Sequence, residues 1–249
     1  MTKLNINIDH VATLRQARLG LDPDPISLVD LIIKTQVNGI VMHLREDRRH
    51  IQYEDLVRFK KKFKFHLNLE MAPTPEMVKI ANKIKPNTVT LVPEKRRELT
   101  TEGGLDIKKN LTFIKKIVNS LSSEINIMVF IDPLKYQIKI AKGMNIQGIE
   151  INTGKYANSS GNELKSQLKK IKKAAIFAES INLYVSAGHG LTTKNLAKLV
   201  KIKEIKEYNI GHSVISDSIF YGIKESIQNF QDIIKKWEFN GRKFQYSFR

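Results

Sequence analysis

The chain has 249 residues, of which 41% are hydrophobic and 27% charged, and it contains no cysteine. This length suits one α/β barrel of roughly 250 residues, and the apolar share is sufficient for a large core. The lack of cysteine excludes disulfides and cysteine-ligated metal, and no apolar run approaches the roughly 18 residues of a membrane span. The start, MTKLNINIDH, lacks the organisation of a signal peptide, so we expect a cytoplasmic protein.

The formal net charge of +17 is the most unusual bulk property. Such a charge can indicate nucleic-acid binding. Lysine far outnumbers arginine, however, and isoleucine and asparagine are abundant, a combination that A/T-biased codon usage also produces. We interpret the basic stretch VRFKKKFKFH as a lysine-rich helix end joined to a strand. We therefore expect no nucleic-acid partner and attribute part of the charge to a preference for phosphorylated substrates.

Strand-like segments alternate with amphipathic helical segments along the chain. The predicted strands are residues 4–9, 39–44, 65–71, 88–93, 125–132, 148–153, 183–188 and 207–211. The predicted helices are residues 26–37, 53–63, 75–85, 108–122, 134–143, 162–181, 192–202 and 213–236. Strand–helix repeats of this number predict a single α/β domain, a (β/α)8 TIM barrel. An open doubly wound sheet is the alternative, but it would normally have fewer repeats and a glycine-rich first turn.

The predicted barrel occupies residues 1–236 and forms the catalytic domain. Residues 237–249, WEFNGRKFQYSFR, break the pattern with aromatic and basic residues and are interpreted as a C-terminal tail. The segment LTTEGGLDIKKN (99–110) is a longer connection after the fourth strand and a candidate flap.

Polar groups gather at the ends of the predicted strands, where the active site of such a barrel lies. In chain order these ends carry Asn7, Asp9, His10, His43, Arg45, Glu70, Glu94, Asp132, Glu150, His189, Gly211 and His212. Each residue alone has a structural explanation as a helix cap or a hydrogen-bonding group. Histidine changes protonation near neutral pH, however, and crowded charges perturb one another's pKa values. The whole set therefore indicates a site of repeated proton transfer.

The third predicted strand, FHLNLEM, alternates between apolar and polar residues. Its polar face consists of His66, Asn68 and Glu70, and we expect this face to point into the barrel. Glu70 would lie at the rim, where partial burial raises the pKa of a carboxyl group and makes it a candidate base. His66 lies at the start of the strand and is interpreted as structural.

Two segments are candidate phosphate sites. The loops after strands seven and eight, AGHGLT and NIGHS, offer backbone N–H groups at helix N-termini next to Gly188, Gly190 and Gly211. The segment HLREDRRH offers a second cationic site, with Arg45, Arg48, Arg49 and His50. Alternatively, Glu46 and Asp47 pair with these arginines. No metal-binding motif, P-loop or GxGxxG is present, so we predict no metal.

These motifs together resemble the pyridoxine 5'-phosphate synthase family of vitamin B6 biosynthesis. The segments NIDHVATLRQAR, HLREDRRHI, NLEMA, LVPEKR, TTEGGLD, FID, AGHGL and NIGH occur in the order and spacing of that family, over residues 7 to 213. The resemblance implies a (β/α)8 barrel that assembles through dimers into an octamer. It also implies condensation of 1-deoxy-D-xylulose 5-phosphate with 3-amino-2-oxopropyl phosphate, giving pyridoxine 5'-phosphate, inorganic phosphate and water without a cofactor.

The resemblance also implies a role for individual residues. His43 and Glu70 would accept protons, His189 would donate one, and Glu150 would stabilise a transition state. The residues expected to hold the deoxyxylulose phosphate are Asp9, His10, Arg45, His50 and Thr100. Those expected to hold the amino-ketone phosphate are Asn7, Arg18, Gly190, Gly211 and His212. The family arginine at the position of Arg18 reaches the site of a neighbouring subunit.

One position departs from the family pattern. Asn152 stands where the family motif has a histidine, and asparagine does not transfer protons at neutral pH, so no catalytic role is expected there. Another phosphosugar-handling barrel, an isomerase or an aldolase, remains an alternative. An aldolase would need a Schiff-base lysine, and none is predicted at an inward strand end, although Lys95 lies just past strand four.

Overall fold

The strands of the protein close into a parallel barrel. The computed structural model describes residues 2–94 and 103–246, with side chains as far as Trp237. The strands pair in chain order, and the last pairs with the first. They are β1 (Lys3–Asn7), β2 (Gly39–His43), β3 (Leu67–Met71), β4 (Thr88–Leu91), β5 (Asn126–Ile131), β6 (Gly148–Asn152), β7 (Tyr184–Gly188) and β8 (Glu207–Ile210). The predicted (β/α)8 barrel is confirmed, and the open sheet is excluded.

Helices surround the barrel. They are α1 (Asp9–Ala17), α2 (Pro25–Ile33), α3 (Tyr53–Lys62), α4 (Pro75–Ile84), α5 (Leu111–Ser120), α6 (Lys135–Lys142), α7 (Gly154–Ala157), α8 (Gly161–Ser180), α9 (Leu196–Leu199), α10 (His212–Tyr221) and α11 (Ile223–Tyr246). None of these helices is both long enough and apolar enough to cross a membrane.

Sequence patterns located some helix starts well. Pro25 occupies the first position of α2, and the Asp24 side chain accepts hydrogen bonds from two backbone N–H groups. Thr74 caps α4 in the same way, ahead of Pro75. These caps fix where the chain turns back along the outside of the barrel.

Three helix predictions were wrong in detail. The sequence predicted no helix before residue 26, but Asp9–Ala17 forms α1, whose polar sequence shows no clear apolar stripe. The helix predicted at 192–202 is shorter in the structure, where it forms α9, and the turn before it contains a hydrogen bond from the Thr192 N–H to the Asn195 side chain. The helix predicted at 213–236 is two helices divided at Gly222, whose φ of +79° is in the left-handed region. The second of them, α11, runs on to Tyr246, while the separate tail of residues 237–249 stays a prediction.

The barrel has an apolar outside and a polar inside. In β3, Leu67, Leu69 and Met71 are buried in the hydrophobic core, and Asn68 lies on the opposite face. Inside the barrel, the Thr90 hydroxyl donates to Asn68 Oδ1 over 2.9 Å. Alternation along the strands thus places the polar face of β3 inside the barrel, as predicted, with Glu70 at its rim.

Candidate active site

A cavity of about 490 Å³ opens at the carboxyl ends of the strands. This volume lies within the range of small-molecule sites. Most of the predicted site residues line it, namely Asn7, Asp9, His10, His43, Arg45, His50, Glu70, Glu150, His189, Gly190, Gly211 and His212. Segments far apart in sequence converge here because parallel strands place all their carboxyl ends at one rim.

His43, at the end of β2, lies between two carboxyl groups. Its Nε2 lies 2.9 Å from Glu94 Oε1, and its Nδ1 lies 4.0 Å from Glu70 Oε2. Asp9 fixes the backbone, since its Oδ1 accepts the His43 N–H over 2.8 Å. The sequence placed Glu94 at the rim without assigning it a role. Its contact with His43 joins the end of β2 to the segment after β4, and a contact between such distant segments cannot be read from a local sequence pattern.

Burial raises the pKa of two carboxyl groups in the cavity. Burial, reinforced by the nearby Glu150 and Asp9 side chains, raises the pKa of Glu70 well above its ordinary value. Burial also raises the pKa of Glu150 to about 8, although a hydrogen bond of 2.7 Å from Asn209 Nδ2 opposes this shift. Gly188 packs against Glu150, and a Cβ there would lie 2.2 Å from Glu150 Oε1. Both shifts favour the protonated form of the carboxyl group.

Three rim histidines are held neutral. Burial lowers the pKa of His10, helped by His212, whose ring centroid lies 4.9 Å away. Burial likewise lowers the pKa of His50 and of His189. Neutral imidazoles accept protons, so the cavity combines proton acceptors with protonated carboxyl groups.

His189 follows β7 in a left-handed backbone conformation, with φ at +81°. This conformation is unfavourable for a residue with a side chain. The buried Thr153 hydroxyl lies 2.6 Å from the His189 carbonyl oxygen and 2.7 Å from that of Gly188, and it can donate to either. The His189 ring stacks on Phe130, with centroids 6.2 Å apart. The contact of Thr153 with the His189 backbone and the contact of Phe130 with its ring thus both hold the imidazole beside the cavity.

The two predicted phosphate segments both reach the cavity. Gly190 adopts a φ of +72°, and α10 begins at the rim directly after Gly211, so its first N–H groups lie beside the cavity. In the other segment, Arg45 and Arg49 line the cavity and both pair with Asp47. The alternative in which Asp47 pairs with arginines of this segment is therefore present for Arg45 and Arg49, and both of these arginines still line the cavity.

Other predicted residues lie elsewhere. Arg18, at the end of α1, is exposed and does not line the cavity. Thr100 and Lys95 lie outside the described residues. Arg48 pairs with Glu76 over 2.7 Å rather than with the neighbouring Glu46.

Asn152 forms structural hydrogen bonds. Its Nδ2 donates to Asp132 Oδ1 over 2.9 Å, and its Oδ1 accepts the Gly154 N–H over 2.9 Å. Asp132 Oδ1 also accepts the Gly104 N–H. Asn152 thus joins the ends of β5 and β6, and the absence of a catalytic role for it stays a prediction.

Asp9, His43 and His50 are the described residues whose donor atoms cluster closely enough for a metal, within 4.8 Å of one another. Several of their atoms form hydrogen bonds within the protein. His50 Nδ1 accepts the Ile51 N–H, and the two Asp9 oxygens accept from His43 N and Asn7 Nδ2. The absence of a metal stays a prediction.

The basic stretch at residues 57–66 is the end of α3 and the approach to β3, as predicted. Arg58 pairs with Asp24 over 2.7 Å, and Lys62 pairs with Asp30. These contacts describe a salt-bridged helix surface.

Comparison with known proteins gives one family. Residues 4–236 match the family model described as pyridoxal phosphate biosynthesis protein PdxJ. The chain is 48% identical over 236 residues to the pyridoxine 5'-phosphate synthase of Sulfurihydrogenibium sp. strain YO3AOP1, covering 93% of this chain and 97% of the relative. It is 47% identical over 230 residues to the enzyme of the same name from Zymomonas mobilis, covering 92% and 90%.

Solved structures show the same fold at low identity. A mutant tryptophan synthase α-subunit from Pyrococcus furiosus superposes with a TM-score of 0.60 at 9% identity, covering 94% of this chain and 98% of that one. Phosphoribosyl anthranilate isomerase from Thermus thermophilus gives a TM-score of 0.55 at 9% identity, covering 85% and 88%. These similarities concern the barrel alone.

Proposed function

The chain belongs to the PdxJ family and is an enzyme of pyridoxine 5'-phosphate synthesis that acts on small phosphorylated substrates, and we propose the reaction and residue roles that follow. The proposed substrates are 1-deoxy-D-xylulose 5-phosphate and 3-amino-2-oxopropyl phosphate. Their condensation yields pyridoxine 5'-phosphate, inorganic phosphate and water. As an enzyme of biosynthesis, the protein is proposed to work in the cytoplasm.

This proposal is supported by a single cavity that is lined by both candidate phosphate segments and by a set of proton carriers. Arg45 and His50 belong to one segment, and the Gly190 loop with the start of α10 forms the other. Two phosphorylated fragments held by these segments would meet beside Glu70 and His189. Holding both ends converts a bimolecular condensation into an intramolecular one.

The proton chemistry follows from the charge state of the cavity. Imine formation, phosphate loss, ring closure and dehydration each move protons. His43 and Glu70 are proposed to accept them, and His189 to return one to a leaving group. Burial makes the Glu70 carboxylate, once ionised, a stronger base than an exposed one, and Glu150 would donate a hydrogen bond to negative charge that develops in the transition state.

Each substrate is proposed to bind to its own set of residues. Asp9, His10, Arg45, His50 and Thr100 are proposed to bind the deoxyxylulose phosphate. Asn7, Arg18, Gly190, Gly211 and His212 are proposed to bind the amino-ketone phosphate.

Arg18 requires a second copy of the chain, because it does not line the cavity of its own subunit. The leucines next to it, Leu19 and Leu21, are 86% and 87% exposed, and α1 packs beside α10, whose exposed end carries Phe220. An apolar surface around Arg18 is suited to a subunit interface. We therefore propose a homo-oligomer, built from dimers into an octamer, in which Arg18 enters the neighbouring cavity. Light scattering of the native protein tests this, with Leu21→Glu expected to lower the mass.

Single variants test the residue roles. His43→Ala, Glu70→Gln and His189→Ala are each expected to abolish turnover and to leave the far-UV circular dichroism unchanged. His66→Gln is the matched control, because His66 precedes β3 and does not line the cavity. Near-normal turnover in any of the three would remove the role proposed for that residue.

A further inference from the structure

We propose that Glu94 is a positioning residue for the reaction: it holds the His43 ring in one tautomer and stabilises the positive charge that His43 acquires when it takes a proton. This inference rests on the proposed function of His43 as a proton acceptor. Glu94 lies three residues past the end of β4, the strand that follows β3, and its side chain contacts the His43 ring and the Glu46 N–H in the loop after β2.

The geometry around His43 distinguishes its two nitrogens. Glu94 Oε1 lies 2.9 Å from Nε2, within hydrogen-bond distance, whereas Glu70 Oε2 lies 4.0 Å from Nδ1. A carboxylate accepts hydrogen bonds, so Nε2 carries the hydrogen and the free electron pair of the neutral ring is on Nδ1. The Nδ1 atom faces Glu70, and it is therefore the atom that accepts a proton.

Glu94 is well placed to remain charged. Its side chain is only 4% exposed, and its second oxygen, Oε2, accepts the Glu46 N–H over 3.0 Å. Burial alone would favour the protonated form, but the hydrogen bonds from His43 and from the Glu46 N–H, with the nearby Arg45 charge, lower the pKa of Glu94. The Glu94 carboxylate is therefore a permanent acceptor beside a ring whose charge changes.

Charged and titratable groups face His43 from several elements, and they act in different directions. They are Glu94 after β4, Glu70 at the end of β3, Asp9 at the start of α1, and Arg45 and His50 in the loop after β2. Burial favours the uncharged forms of Glu70 and His50, so neither of them supplies negative charge to the His43 ring. Asp9 contacts the His43 backbone, so Glu94 is the anion that contacts the ring.

The test compares Glu94→Gln with Glu94→Asp. Glutamine keeps the size and the acceptor oxygen but removes the charge, whereas aspartate keeps the charge on a shorter side chain. Glu124→Gln is the control for the loss of one negative charge, because Glu124 is exposed and pairs with Lys85 over 2.8 Å. Steady-state kinetics gives kcat and KM against pH. Nuclear magnetic resonance of ¹⁵N-histidine protein follows the His43 ring, identified by its absence in His43→Ala.

The inference predicts that Glu94→Gln lowers kcat by about 10–100-fold and changes KM by less than about threefold. It also predicts that the pH midpoint of the His43 ring signals falls by about 1, while Glu94→Asp keeps the midpoint closer to wild type. A Glu94→Gln protein with wild-type kcat or an unchanged ring midpoint would overturn the inference. If Glu94→Gln fails to fold, the pH midpoint of the His43 ring signals in Glu94→Asp tests the inference instead. A fall of that midpoint by about 1 would contradict charge stabilisation by residue 94, because aspartate keeps the negative charge.

The ring measurement needs no turnover, so the two proposals fail separately. A shifted midpoint in an enzyme that makes no product from the two phosphates would contradict the proposed reaction and leave the Glu94 contact intact. An unshifted midpoint in an active enzyme would contradict only the role of Glu94.

Discussion

Replacing Glu150 by glutamine should make the protein more stable at alkaline pH and no more stable at acidic pH. In the folded protein the Glu150 carboxyl holds its proton up to about pH 8, whereas an exposed carboxyl releases it near pH 4.5. Between these values the folded state binds more protons than the unfolded state, so the free energy of unfolding falls as pH rises. Glutamine keeps the shape and carries no ionisable proton.

The magnitude follows from the two pKa values. At about 1.4 kcal/mol for each pH unit, the interval from 4.5 to about 8 corresponds to about 5 kcal/mol of lost stability above pH 8. Most of that loss, about 3 kcal/mol, falls between pH 5 and pH 8. The stability of Glu150→Gln relative to wild type should therefore increase by the same amount over this range.

Denaturant unfolding at pH 5, 6.5 and 8 measures this difference, with Trp237, the single tryptophan, as the fluorescent probe. Protein concentration is kept constant because the proposed subunit assembly would contribute to stability. Glu124→Gln is the control, since an exposed, ion-paired carboxylate is ionised throughout this range in both states. Parallel stability curves for Glu150→Gln and wild type would refute the conclusion that Glu150 is buried with its proton.

Two further substitutions test how the rim is held. Gly188→Ala should lower kcat at least about tenfold, because the new Cβ would lie 2.2 Å from Glu150 Oε1. Gly143→Ala is the control and should keep wild-type kinetics, since a Cβ there has no neighbour closer than 3.4 Å. Equal kcat values for the two variants would contradict the packing of Gly188 against Glu150. Thr153→Val removes the hydroxyl beside the His189 carbonyl and should lower kcat about tenfold with little change in KM, and Thr153→Ser should restore it. A valine variant as active as the serine variant would show that this hydrogen bond does not position His189.

The barrel was predictable because its strands carry a repeating signal. β3 alternates apolar and polar residues, and this alternation alone places Glu70 at the inner rim. Helix α1 was missed because its sequence is rich in polar residues, of which Asp9 and Arg15 are buried only through long-range partners. Local periodicity does not register a helix that is stabilised in this way.

The site was predictable in its membership but not in its connections. Strand-end position identified His43 and Glu150 because every strand ends at the same rim. The Glu94–His43 hydrogen bond and the Thr153 contact with His189 join different strands, and their distances depend on side-chain conformation. The charge of a rim carboxyl group also depends on how deeply it is buried. The sequence therefore identified the carboxyl groups but not the direction in which the pKa of each is shifted.

The cavity is proposed to join two phosphorylated fragments by proton transfer from its own side chains. The most direct measurement mixes purified, chelator-treated protein with 1-deoxy-D-xylulose 5-phosphate and freshly generated 3-amino-2-oxopropyl phosphate, and follows the product by fluorescence and mass. We expect pyridoxine 5'-phosphate and inorganic phosphate in equal amounts, and no product from the His189→Ala protein. A folded, oligomeric protein that forms no product, or that forms it only after metal is added back, would contradict the claim.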